Sequence, residues 1–174
     1  MSGKVIAGAI VILALIAGAA IYYLQVYAYY EEVSADGTTD VQLTSLVSGA
    51  PEPILYENFE AIEASSSPIR FRACFTTSQS IPLLTETYEA YEQAEPLVAP
   101  GWFDCFDAVE IGEALEIGEA LPFLGIKNVQ YGIDRVAAVF PDGRGFLWHQ
   151  INECGAEVFD GKPVPEGCPP PPDE

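Results

Sequence analysis

Twenty consecutive residues, Val5 to Leu24, read VIAGAIVILALIAGAAIYYL without a single charge. As a helix with a 1.5 Å rise per residue, such a run covers about the 30 Å hydrocarbon layer of a bilayer. Its ten Val, Ile and Leu residues favour insertion by roughly 3 to 6 kcal/mol, and no ionised side chain opposes them. The run predicts a transmembrane helix over residues 5–28. A cleaved signal peptide is the rival reading, because Ala17-Gly18-Ala19 has the small-x-small pattern of a cleavage site. Three observations favour an uncleaved anchor: the apolar run is longer than a usual leader core, only Lys4 precedes it, and cutting there would leave IYYLQVYAYY exposed.

Lys4 stands before the span, and Glu31 and Glu32 follow it. The positive-inside rule then puts the N-terminus in the cytoplasm and the rest of the chain outside. Tyr23, Tyr27 and Tyr30 recur at i, i+4 and i+7, the spacing of one helical face, where their rings suit the headgroup layer. The bilayer is therefore the first expected partner.

All 26 Asp and Glu lie after residue 30, with six of the seven Lys and Arg, so the exported part carries a formal charge of −20. Such a field repels phosphate backbones and excludes nucleic acid as a partner, while favouring cationic proteins. Four cysteines, Cys74, Cys105, Cys154 and Cys168, also follow the span. In an oxidising compartment they favour two disulfides, for which three connectivities exist. Proximity in sequence favours Cys74 with Cys105 and Cys154 with Cys168. A zinc site lacks both a C-x-x-C spacing and a second histidine.

The expected fold class is α+β: the anchor, then a small antiparallel sheet with two helices, disulfide-bonded. Residues 1–4 are read as a cytoplasmic N-terminus, 5–28 as the span, 29–57 as an extended connector giving reach from the membrane, 58–168 as the domain, and 169–174 as a Pro-rich tail. Ile69 to Phe75 alternates as a half-buried strand, with residues 59–64 as its hairpin partner. Ser80 and Pro82 open a helix over Ile81–Ala94 that Pro96 ends. A second helix, over Asp107–Leu121, carries Glu110, Glu113, Glu116 and Glu119 on one side and is stopped by Pro122. Residues 135–140 and 145–151 flank Pro141-Asp142-Gly143-Arg144, the best hairpin signal in the chain.

The sequence displays little chemistry. His149 is the sole histidine and lies inside an alternating strand with no nucleophile or carboxylate beside it, so it reads as structural. The glutamate stripe lacks the interleaved geometry of a calcium loop. Arg70 and Arg72 share one strand face and could fork onto an anion, although pairing with the abundant carboxylates is the simpler expectation. Trp102 and Phe103 could form a docking patch, or pack against the Cys105 disulfide. No nucleotide, metalloprotease or hydrolase motif is present, so no catalytic residue, cofactor or metal is expected.

The segments MSGKVIAG, YYLQVYAYYEE, DVQLTSL, IRFRACFTT, LVAPGWFDCFDA, YGIDRVAAVFPDGRGF and WHQINECG together resemble an uncharacterised family of small membrane-anchored proteins from alphaproteobacteria. That resemblance implies a Gram-negative inner membrane with the domain in the periplasm. The expected role is a non-enzymatic accessory or assembly subunit of a larger membrane complex, such as a respiratory one. The alternative is a periplasmic ligand-binding or thiol-dependent factor using Arg70 and Arg72, or a labile cysteine pair.

Overall fold

The computed structural model describes residues 3–172; Met1, Ser2 and the last two residues of the expected tail, Asp173 and Glu174, lie outside the described residues. Helix α1 (Gly3–Tyr23) buries no residue against the rest of the chain. It widens into a π-helical turn, Leu24–Ala28. The two together form a 26-residue apolar helix, long and apolar enough to cross a membrane.

The domain starts as soon as this helix ends. Strand β1 (Glu31–Glu32) pairs antiparallel with β4 (Glu57–Glu63), placing Glu31 opposite Glu63 and Glu32 opposite Ile62. Between them, β2 (Gln42–Thr44) and β3 (Pro51–Pro53) form a separate two-stranded ribbon. Residues 29–57 are therefore part of the domain, not the extended connector expected of them. Val41, Leu43 and Ile54 are core residues. The polar run EEVSADGTTD hides this in the sequence, because the short Val41, Leu43 alternation follows it directly. The domain consequently has almost no reach from the helix.

The main sheet has six strands in the order β1-β4-β5-β8-β7-β6, and every pairing is antiparallel. Strand β5 (Arg72–Thr76) pairs with β4 as expected. It starts later than the alternation suggested, because Pro68–Arg70 forms a 3₁₀ turn. It is also buried on both faces instead of one: the sheet is sandwiched, so Arg72 is covered as fully as Phe75. Strands β7 (Ile133–Val139) and β8 (Arg144–Ile151) form the expected hairpin. Gly143 takes the positive φ of 91° that this turn needs. At Gly145 a Cβ would sit 2.2 Å from the Phe75 ring, so only glycine lets β8 lie over that side chain.

Strand β6 (Leu121–Gln130) has no counterpart in the sequence reading. Pro122, expected to stop a helix, lies inside it opposite Ala138. An edge strand tolerates the missing N–H of proline. Helix α3 (Ala108–Glu116) ends earlier, at Gly118 with φ 74°, in the left-handed position that closes many helices. Its start matches expectation, with the Asp107 carboxylate accepting from the Val109 and Glu110 N–H groups.

Helix α2 (Ile81–Thr87) is half the expected length. Beyond it the chain turns extended and bonds other strands: Glu89 N–H donates to Thr44 O at 2.8 Å and Tyr91 N–H to Pro122 O at 3.1 Å. Helix α4 (Glu153–Phe159), also unanticipated, is capped by Asn152, whose Oδ1 accepts from Gly155 N–H. The α+β class stands, with four α-helices among the described residues and a larger sheet than expected.

Alternate residues of the sheet feed two cores. On one face Phe71, Ala73, Phe75, Ala137 and Leu147 meet the β2–β3 ribbon and α2 through Leu43 and Leu84. On the other, Val136, Ala138, Phe146 and Trp148 meet α3 and the aromatic loop before it through Ile111 and Phe106. The disulfides are Cys74–Cys105 and Cys154–Cys168, the pairing that proximity favoured, and no cysteine is free.

Candidate functional site at the helix–domain junction

A helix that ends leaves its last carbonyls without intrahelical donors. Here one of them is claimed by the domain: the Trp102 indole Nε1–H donates to Val26 O at 2.6 Å. The same indole stacks on Tyr27 with centroids 6.3 Å apart and meets Tyr30 edge-on at 5.9 Å. Tyr23 in turn stacks on Tyr27 at 6.0 Å. The expected tyrosine face thus holds for Tyr23 and Tyr27. Tyr30 leaves it, because the π turn shifts the helical phase and the chain is already turning into β1. Lys4 sits exposed in the first turn of α1, at the far end of the helix.

Arg70 closes the other side of the junction. Its Nη2 donates to Gln25 Oε1 at 3.0 Å, its Nη1 to Ser66 Oγ at 3.4 Å, and its guanidinium lies 5.7 Å from the Tyr30 ring centre. Arg70 and Arg72 do not share a face, because the 3₁₀ turn rotates Arg70 out of the strand. Neither forms the ion pair expected of it among the described residues. Arg72 is buried, and its guanidinium donates to four backbone carbonyls: Leu97 at 2.6 Å, Ile69 at 2.8 Å, Phe71 at 2.6 Å and Val98 at 3.3 Å. Burial pushes this guanidinium down to about 10, which still leaves it charged at neutral pH.

Phe103 is a core residue rather than part of a docking patch, packed in the same cluster as the Cys74–Cys105 pair. Trp102 is only partly buried and remains at the surface. Beside it opens a cleft of about 500 Å³ whose walls include Val33, Phe59, Trp102 and Phe103, with Glu60 and Asp104 at its side.

Two charged groups, half-buried Arg135 and buried Asp134, escaped the sequence reading. Arg135 lies 4.3 Å over the Phe71 ring, and its Nε–H donates to His149 Nε2 at 3.0 Å. Asp134 accepts from Asn128 N–H, Asn152 Nδ2 and the Tyr91 hydroxyl. A signal for both existed: charges inside the run IDRVAAV, flanked by apolar residues at two-residue spacing, belong to a strand with covered faces. The His149 ring stacks on Phe71 at 4.6 Å, with Nδ1 2.7 Å from Pro68 O. Burial foremost, then the Arg135 charge, pushes its pKa down to about 4. In the glutamate stripe Glu110 is engaged by Arg144 at 2.7 Å. Among the described residues no cluster of three or more His, Cys, Asp or Glu is placed to hold a metal.

A family model matches residues 41–169, and the chain belongs to that family, DUF6446, a family of unknown function. Neither a curated protein nor a solved structure matches the chain.

Proposed function

We propose that this member of a family without an assigned role is a single-pass inner-membrane protein, with its N-terminus in the cytoplasm and its acidic domain held flush against the bilayer on the periplasmic side. In this reading it is a non-enzymatic accessory or assembly subunit of a larger membrane complex. The observation that carries the reading is the Trp102–Val26 hydrogen bond with its tyrosine stack. That contact fixes the domain at the helix exit. A cut after Ala19 would leave Ile21, Tyr22 and Tyr23, each about 60% exposed, as an uncovered apolar stub on the domain, which an uncleaved span instead places in the bilayer. The two disulfides fit an oxidising compartment.

A domain fixed to its anchor presents one set of faces to its neighbours in the membrane, which suits a subunit that docks laterally. The strong negative charge gives such docking long-range attraction toward a cationic surface. A catalytic role finds no support in the groups on display. His149 is tied at both ring nitrogens, Arg72 is spent on carbonyls, and all four cysteines are paired.

The test is purification from native membranes in mild detergent through a C-terminal tag. Stoichiometric membrane partners should co-purify, and alkaline extraction should leave the intact chain, with residues 3–30 detectable by mass, in the membrane pellet. A bare monomer at low salt, or a chain truncated after Ala19, contradicts the proposal.

A further inference from the structure

We infer that the loop from Leu97 to Trp102 is a second membrane contact, pressed into the lipid interface beside the helix exit and held there by the buried guanidinium of Arg72. The inference rests on the anchored reading above and adds to it a surface, a lipid partner and a role for Arg72.

The level of the loop follows from the helix. Gly3–Ala28 is 26 residues long. At 1.5 Å per residue this is about 39 Å, longer than the roughly 30 Å hydrocarbon layer. A span that begins at Val5 leaves Val26 in the headgroup layer. Trp102 is bonded to Val26 O, so its indole lies at that same depth. Tryptophan is favoured there because its ring is apolar and its N–H is polar.

The loop is built for such a place. LVAPGW contains no charge in a domain of formal charge −20, and Val98 points outward with 77% of its surface exposed. The difficulty for a loop at lipid depth is its backbone, since carbonyls without donors are costly away from water. Arg72 meets that need from the protein side, donating to the carbonyls of Leu97 and Val98 and leaving the Val98 side chain to face out. This accounts for a buried cation whose partners are carbonyls and which forms no ion pair among the described residues.

The experiment uses the full chain in phosphatidylcholine vesicles carrying lipids with a nitroxide either near the headgroup or near the chain end. The protein has two tryptophans, and Trp148 is fully buried in the core, so the wild-type signal minus that of Trp102→Phe reports Trp102. The shallow probe should remove at least about half of this difference emission, and the deep probe less, as expected of an indole in the interface. Val98→Asp, at an exposed position, should lower the shallow quenching about twofold, as should Arg72→Met, with the chain still floating with the vesicles. Floating chains whose Trp102 escapes both probes overturn the inference while sparing the anchor. Chains that fail to float overturn both. A photo-crosslinker at position 98 that captures protein rather than lipid in native membranes assigns the loop to a partner subunit and also overturns the inference.

Discussion

His149 has one tautomer open to it. Arg135 can only donate, so His149 Nε2 accepts and carries no proton, and Nδ1–H donates to Pro68 O. Protonating Nε2 would break the first bond and set two cations side by side. The folded pKa of about 4 lies below the ordinary 6.5 of an unfolded imidazole. Between those values the unfolded chain binds more protons, so the His149 contribution is complete above pH 6.5 and is lost as pH falls toward 4. The loss across that window is on the order of 3 kcal/mol. Melting temperatures of the detergent-solubilised chain should fall between about pH 7.5 and about pH 4.5, and fall less in His149→Gln. Equal slopes in the two proteins would place the titration elsewhere.

Two elements are stapled, and the staples differ in what they hold. Cys74–Cys105 spans 31 residues and ties the central strand β5 to the loop carrying Trp102 and Phe103. Cys154–Cys168 spans 14 residues and ties α4 to the proline-rich end, where Pro169 O also accepts the Tyr131 hydroxyl at 3.1 Å. On loop-closure entropy the first contributes about 4 kcal/mol and the second about 3 kcal/mol. The first also braces a core, so Cys74→Ser with Cys105→Ser should cost the larger drop in melting temperature and weaken the Trp102 contact with the helix. Cys154→Ser with Cys168→Ser should leave that contact intact. The reverse order would mean that the C-terminal segment, not the aromatic loop, organises the domain.

At the scale of the molecule, a six-stranded sheet covered on both faces hangs from one helix with two residues, Tyr29 and Tyr30, between the π turn and β1. Its orientation is set by contacts rather than by a tether, which distinguishes it from a domain swinging on a linker. With a formal charge of −20 beyond residue 30, attraction to a cationic partner should weaken as salt screens it. Recovery of co-purifying subunits should therefore decline from about 50 mM to about 500 mM salt, as the shrinking screening length requires. Salt-independent recovery would assign the contact to the apolar helix instead.

The apolar run, the cysteine count, the charge and the Pro-Asp-Gly turn could each be read along the chain, because each depends on residues adjacent or nearly so. They determined an apolar helix of spanning length, an oxidisable acidic domain and the β7–β8 hairpin. What sequence could not decide was whatever depended on a distant partner. Val41, Leu43 and Ile54 became core because a sheet face lay waiting for them, and α2 stopped at Thr87 because Thr44 and Pro122 offered carbonyls that a continued helix could not reach. Arg70 and Arg72 look equivalent two residues apart, yet one turn of 3₁₀ helix sends the first to Gln25 and leaves the second under the loop at Leu97 and Val98. Only tertiary structure brings Trp102 to Val26, across 76 residues, because a hydrogen bond answers to distance in space and not along the chain.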